Sequence, residues 1–167
     1  MAKQSSNYAD ILGDLKNKNY KPVYFLSGEE PYYIDLISDY IQDNVLTESE
    51  KAFDQFIMYA QDYDLATILE QARHFPMCAP YQVIIVKEAQ KWTDFEELST
   101  YLKAIQPQTI LVICHKYKKV DRRKNGYLNL KKWECCLSQK KSRRIKCQLL
   151  SLTILKPKVL LLKRKRQ

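Results

Sequence analysis

A three-layer α/β fold with a mostly parallel sheet is what this sequence predicts. Two observations lead there. Short apolar runs, too continuous for strands with one wet face, recur through the first 114 residues, and each is separated from the next by a stretch whose apolar residues repeat at helical spacing. Strands that alternate with helices in this way pair in parallel through right-handed crossovers, and the helices cover both faces of the sheet.

The elements follow in order. Tyr8, Ile11, Leu12 and Leu15 stand at i, i+3, i+4 and i+7, which predicts an amphipathic helix after Ser6 and Asn7 that ends near Asn19. Pro22 then introduces Val23, Tyr24, Phe25, Leu26 and Ser27, a buried strand closed by Gly28. Glu29, Glu30 and Pro31 place negative charge and a fixed φ at the start of a second helix, whose stripe is Ile34, Ile37, Tyr40 and Ile41. The pattern repeats with a strand over 53–58 and a helix bearing Leu65, Ile68, Leu69 and Ala72 behind an Asp64 cap, ended by Pro76 and Pro80. Val83 to Val86 is the next strand. Thr93 and Glu96 have capping-box spacing before a helix with Phe95, Leu98, Leu102 and Ile105, and Pro107 stops it. The last clear strand runs from Thr109 to Cys114.

Bulk properties narrow the class. At 167 residues the chain has length for one domain with its own core, and no apolar run approaches the roughly 18 residues of a membrane span. The N-terminal MAKQSSNYAD lacks the apolar stretch of a secretory signal, so a cytoplasmic protein without membrane contact is expected. Five cysteines without CxxC spacing indicate neither a disulfide framework nor a zinc ribbon. His74 and Cys78 lie one helical turn apart, but only Cys114 and His115 could complete a metal set, so reduced, partly buried side chains are expected instead of a metal. The net charge of +9 is unevenly spread: residues 1–117 carry net −7 and residues 118–167 carry net +16. The body of the chain is therefore acidic.

A strand that runs into a helix through a glycine invites a phosphate-binding reading. A phosphate loop needs GxxxxGK followed by Ser or Thr, so that backbone amides cradle phosphate, a lysine neutralises it and a hydroxyl holds Mg²⁺. Counted from Gly28, the last three places hold Tyr33, Ile34 and Asp35, while Glu29 and Glu30 repel phosphate. Glu88, after the Val83 strand, is a lone carboxylate and not the acidic pair of a hydrolase. Cys114 and His115 could suggest a nucleophile and its base, but neighbours on a strand face opposite ways. No paired carboxylates, HExxH or GxSxG occur, so no catalytic residue, cofactor or metal is expected. Tyr32, Tyr33 and Tyr40 could stack bases, but their helical spacing favours core and rim packing.

Four segments together carry a family likeness: VYFLSGEEPYYID, ILEQARHFPMCAPYQVIIVKEAQKW, a helix ending at Ile105, and QTILVICHKYKKVDRRK. From about Lys21 to Lys124 the chain resembles the N-terminal domain of the delta subunit of bacterial DNA polymerase III. That resemblance implies an AAA+/P-loop-like domain that has lost its nucleotide site, in keeping with the degenerate loop at Gly28, Glu29 and Glu30. It also implies a non-catalytic clamp-loader subunit, part of a nucleotidyltransferase holoenzyme, which binds the ring-shaped sliding clamp and helps open it on primed DNA. The implied partners are the clamp, the gamma/tau and delta prime subunits, and DNA indirectly. The implied clamp contact is an apolar pair that falls on Met77 and Cys78, with Phe75 beside it. Cys78 is smaller than the bulky residue the family carries there. By composition alone such residues near a helix end would be core, but Pro76 and Pro80 put them where the chain leaves its helix and runs over the surface.

The domain is accordingly expected to span residues 1–124, with 125–167 a basic, poorly ordered tail. The likeness breaks at Asn125 at a point with a genetic reading. If one base is lost from an adenine-rich run at Arg123 and Lys124, permitted codons let NGYLNLKKWECCLSQ be re-read one base out of phase as KWLSEFEKMGVLFES, a helix followed by a strand. An out-of-frame tail removes the fifth strand and is expected to leave a neighbouring strand with unpaired backbone groups. The alternative is a basic-tailed nucleic-acid-binding protein, with RRK, KKSRR and KRKR as phosphate contacts.

Overall fold

A computed structural model describes residues 8–28, 30–92, 95–117 and 136–139. The elements in order are α1 (Tyr8–Lys16), β1 (Val23–Gly28), α2 (Pro31–Asn44), α3 (Glu48–Asp54), β2 (Gln55–Tyr59), α4 (Leu65–Gln71), β3 (Gln82–Lys87), a 3₁₀ turn over Ala89–Lys91, α5 (Glu96–Tyr101), β4 (Thr109–Lys116) and β5 (Cys136–Gln139). The strands form one five-stranded sheet in the order β2-β3-β4-β1-β5. Every pairing is parallel.

Alternation along each strand divides the core in two. Tyr24, Leu26, Val83, Ile85, Ile110, Val112 and Cys114 face Ile11 and Leu15 of α1 and Ile34, Ile37 and Ile41 of α2. On the other face Val23, Phe25, Ile84, Val86, Leu111 and Ile113 meet Leu65, Ile68 and Leu69 of α4 and Leu98 and Tyr101 of α5. These are the three expected layers, and they explain why the strands read as unbroken apolar runs.

Several boundaries differ from the sequence reading, each for a local reason. Helix α1 stops at Lys16 because the chain turns there, with Lys18 at φ 57° in the left-handed region and Asn19 N–H donating to the Asp14 carbonyl at 2.9 Å. The strand expected over 53–58 is β2, which starts only at Gln55, since α3 occupies the residues before it. The helix was signalled by Thr47 and Glu50: the Glu50 carboxylate accepts the Thr47 N–H at 2.8 Å and its hydroxyl at 2.7 Å. The Asp64 cap is present and accepts the Thr67 N–H at 3.0 Å. Thr93 lies outside the described residues, and α5 begins at Glu96 with Phe95 in the cap position.

The sheet does not stop at β1. Phe25 to Gly28 of β1 pair with Cys136 to Gln139, so the outer edge of β1, expected to be bare, is covered by β5. The remainder of 118–167, including the expected tail and its charge runs, lies outside the described residues, as do Ser6, Asn7 and Glu29.

Candidate functional site

The order of strands makes α2 leave β1 toward one face while α4 and α5 pack on the other, so the C-terminal ends of β1 and β4 border the crevice where open α/β sheets hold ligands. Gly28 lies opposite Lys116 across the β1–β4 ladder. Lys116 Nζ meets the Asp35 carboxylate at 2.5 Å, and the Lys116 N–H donates to the Gln90 side chain at 3.2 Å. Partial burial works against the Lys116 charge, but the Asp35 partner prevails and raises its pKa above the ordinary lysine value. Asp35 is the residue at the place where a phosphate loop needs a hydroxyl. A cation from β4 is thus neutralised by a carboxylate from α2, and Glu30 stands exposed at the helix start.

Cys114 and His115 are separated as the alternation requires. Cys114 faces α2 with its thiol pushed by burial up to about 12, whereas His115 lies among Phe25 and Phe95 on the opposite face. No group of three or more possible metal ligands occurs among the described residues, and His74 is exposed. Tyr33 and Tyr40 pack on the core rim as expected, with Tyr33 edge-on to Tyr8 at 5.1 Å between ring centres, while Tyr32 is exposed.

The opposite end of the sheet carries the second candidate. Between α4 and β3 the chain passes through a loop in which Phe75 is 70% exposed, Met77 is 77% exposed and Cys78 is an exposed free thiol. Loops that hold large apolar side chains in water usually serve contact with another molecule. This one is held at both ends. At its start the buried Tyr101 hydroxyl donates to the Ala72 carbonyl at 3.4 Å, and burial drives that phenol to about 12. At its end Gln82 N–H donates to the Gln108 carbonyl at 2.8 Å.

The middle is tied by Asp54, the last residue of α3 and fully buried. Its carboxylate accepts the N–H of Met77 at 2.5 Å on one oxygen, and the N–H groups of Cys78 and Ala79, each at 2.8 Å, on the other. Burial by itself pushes this carboxyl upward, yet the three amides outweigh it and hold Asp54 below the usual carboxylate range. Ala79 is drawn inside while Met77 and Cys78 stay out. Phe53, immediately before Asp54, is also exposed.

Phe75, Met77 and Cys78 lie at the surface, as Pro76 and Pro80 suggest, whereas Asp54 is a helix residue where the apolar run over 53–58 suggests strand. The bonds from Asp54 cross 23 to 25 positions, and a single sequence carries no signal for a pairing over that span.

These features define a parallel α/β domain with an ion pair beside the C-terminal ends of β1 and β4 and a tethered apolar loop at the other end. The chain belongs to the DNA polymerase III, delta subunit family, whose pattern its residues 24–148 match. That match runs past Lys124 and includes β5. It is 26% identical over 133 residues to the DNA polymerase III subunit delta of Bacillus subtilis, covering 74% of this chain and 38% of that one. Among solved structures, the Bacillus subtilis DNA clamp loader delta protein superposes with a TM-score of 0.73 at 25% identity, over 80% of this chain and 42% of the other. A DNA polymerase III gamma subunit-related protein from Thermotoga maritima shares the fold, with a TM-score of 0.52 at 13% identity over 82% of this chain and 47% of its own. The chain therefore spans about two fifths of the length of its delta relatives.

The Asp54 tether has a pH signature. Its depressed pKa means that the stabilisation is complete above the unfolded value near 3.8 and fades as pH falls through the lower folded value. Asp54→Asn should cost about 2 kcal/mol of folding stability at pH 7, from weakened hydrogen bonds to a charged acceptor. Urea unfolding at stepped pH should show the gap between wild type and variant closing below pH 3.8, whereas a gap that persists unchanged there contradicts the assignment.

Proposed function

We propose that this chain is the clamp-binding part of a clamp-loader delta subunit, and that it grips the sliding clamp and helps open it during DNA replication through binding energy alone. The observation that supports this reading is the loop bearing Phe75, Met77 and Cys78, with large apolar groups presented to solvent on an anchored backbone. The delta relatives, one of them a clamp loader protein by name, point to the same role. Met77 is the central anchor: its thioether adapts to an apolar pocket, and a few buried anchors carry most of the affinity of such contacts. In the cell the remaining partners are the gamma/tau and delta prime subunits, with DNA approached indirectly or through the basic tail, all in the cytoplasm. No helix among the described residues is long and apolar enough to cross a membrane. Titration of the full chain with the bacterial sliding clamp should give saturable binding, and Met77→Ala should weaken it by about tenfold or more. Wild-type chain that gives no signal with the clamp rules the reading out.

On this reading Gly28, Glu29 and Glu30 are the remnant of an AAA+-type nucleotide loop and the chain has no activity of its own. Asp35 and Lys116 neutralise each other there, which supports the loss of phosphate binding. ATP with Mg²⁺ should leave the thermal unfolding midpoint unchanged, whereas a saturable rise would signal a working site.

The out-of-frame reading of residues 125–167 belongs to the same proposal. In the shifted frame the strand-like GVLFES falls on residues 134–139, the positions that contain β5. DNA sequencing across the codons for Arg122 to Gly126 should find an adenine-rich run one base short of the family frame, and an unbroken frame without such a run would remove the idea.

A further inference from the structure

The loop between α4 and β3 poses a conformational problem. Phe75, Met77 and Cys78 have little packing of their own, so nothing in their side chains fixes the backbone that carries them. A loop free to move would spend only part of its time in a shape that fits a rigid pocket, and the apparent dissociation constant rises by the inverse of that fraction. The rotamer and backbone freedom lost at binding would add to this.

The Asp54 carboxylate meets that problem directly. It is fully buried, no cation lies within ion-pair distance of it among the described residues, and its charge is balanced by three consecutive main-chain N–H groups. Three successive amides turned toward one anion form a concave arrangement that holds the backbone in a single shape. The carboxylate comes from the end of α3, at the junction with the edge strand β2, so the loop is referenced to the sheet and not only to its own flanks.

We infer that Asp54 is a positioning residue for the apolar contact, which it pre-organises by fixing the main chain at Met77, Cys78 and Ala79 so that Met77 is presented outward before the partner arrives. This rests on the clamp-binding reading and adds to it a residue that touches no partner.

The test compares the wild-type chain with Asp54→Asn, Asp54→Glu and Met77→Ala in titrations against the bacterial sliding clamp, with the folded fraction of each followed by circular dichroism. Asp54→Asn presents an amide where an acceptor is needed. Its dissociation constant should rise about tenfold while the signal at saturation stays that of wild type. Loss of folded protein alone would lower the saturating signal and leave the constant unchanged, which counts against positioning. Asp54→Glu keeps a carboxylate and should recover part of the affinity. Hydrogen exchange on the wild-type chain gives a check that needs no variant: the Met77 and Cys78 amides should be protected although their side chains are exposed, and free exchange there overturns the inference. Binding that Met77→Ala weakens and Asp54→Asn leaves intact removes the tether alone. A wild-type chain that does not bind the clamp removes the clamp-binding reading with it.

Discussion

Burial of a parallel sheet on both faces is the constraint from which the rest of this molecule follows. The central strands β1, β3 and β4 are apolar almost throughout because α1 and α2 close one side while α4 and α5 close the other. Such a sheet has no free face on which to build a site. Whatever contacts other molecules must come from the connections at the two ends of the strands, or from an edge.

The two ends have been used differently. At the C-terminal ends of β1 and β4, where the topology opens a crevice, Lys116 and Asp35 satisfy one another, and Gln90 takes up the Lys116 amide. Polar groups satisfied internally in this way leave little to offer a ligand. At the N-terminal end of β3 the loop is apolar outward and polar inward: Phe75 and Met77 face water while the main-chain amides turn to a buried carboxylate. The first arrangement pairs polar groups with one another, and the second leaves apolar ones in water.

Much of this architecture was legible in the order of residues. Unbroken runs such as Val83 to Val86 have one physical meaning, a strand covered on both faces, and the Asp64 cap announced α4 by a local rule. What was lost lay beyond local rules or competed with them. Phe53 and Asp54 adjoin an apolar run and read as strand, although the Thr47 and Glu50 pair had already started a helix that includes them. The edge position of β5 beside β1 is a matter of main-chain pairing, which leaves no periodic trace in a short segment. The exposed loop was found through its prolines and a family likeness, but its support was invisible because Asp54 reads as any other acidic residue until the fold sets it against Met77, Cys78 and Ala79.

All three bonds from Asp54 go to peptide N–H groups, so the contour of the loop is indifferent to which side chains ride on it at 77 and 78, provided neither is proline, which has no N–H to give. Contour and surface chemistry are therefore inherited separately in this molecule. Drift at Met77 or Cys78 can change what the loop shows to solvent, one small thiol or one long thioether at a time, without any need to refold the support beneath.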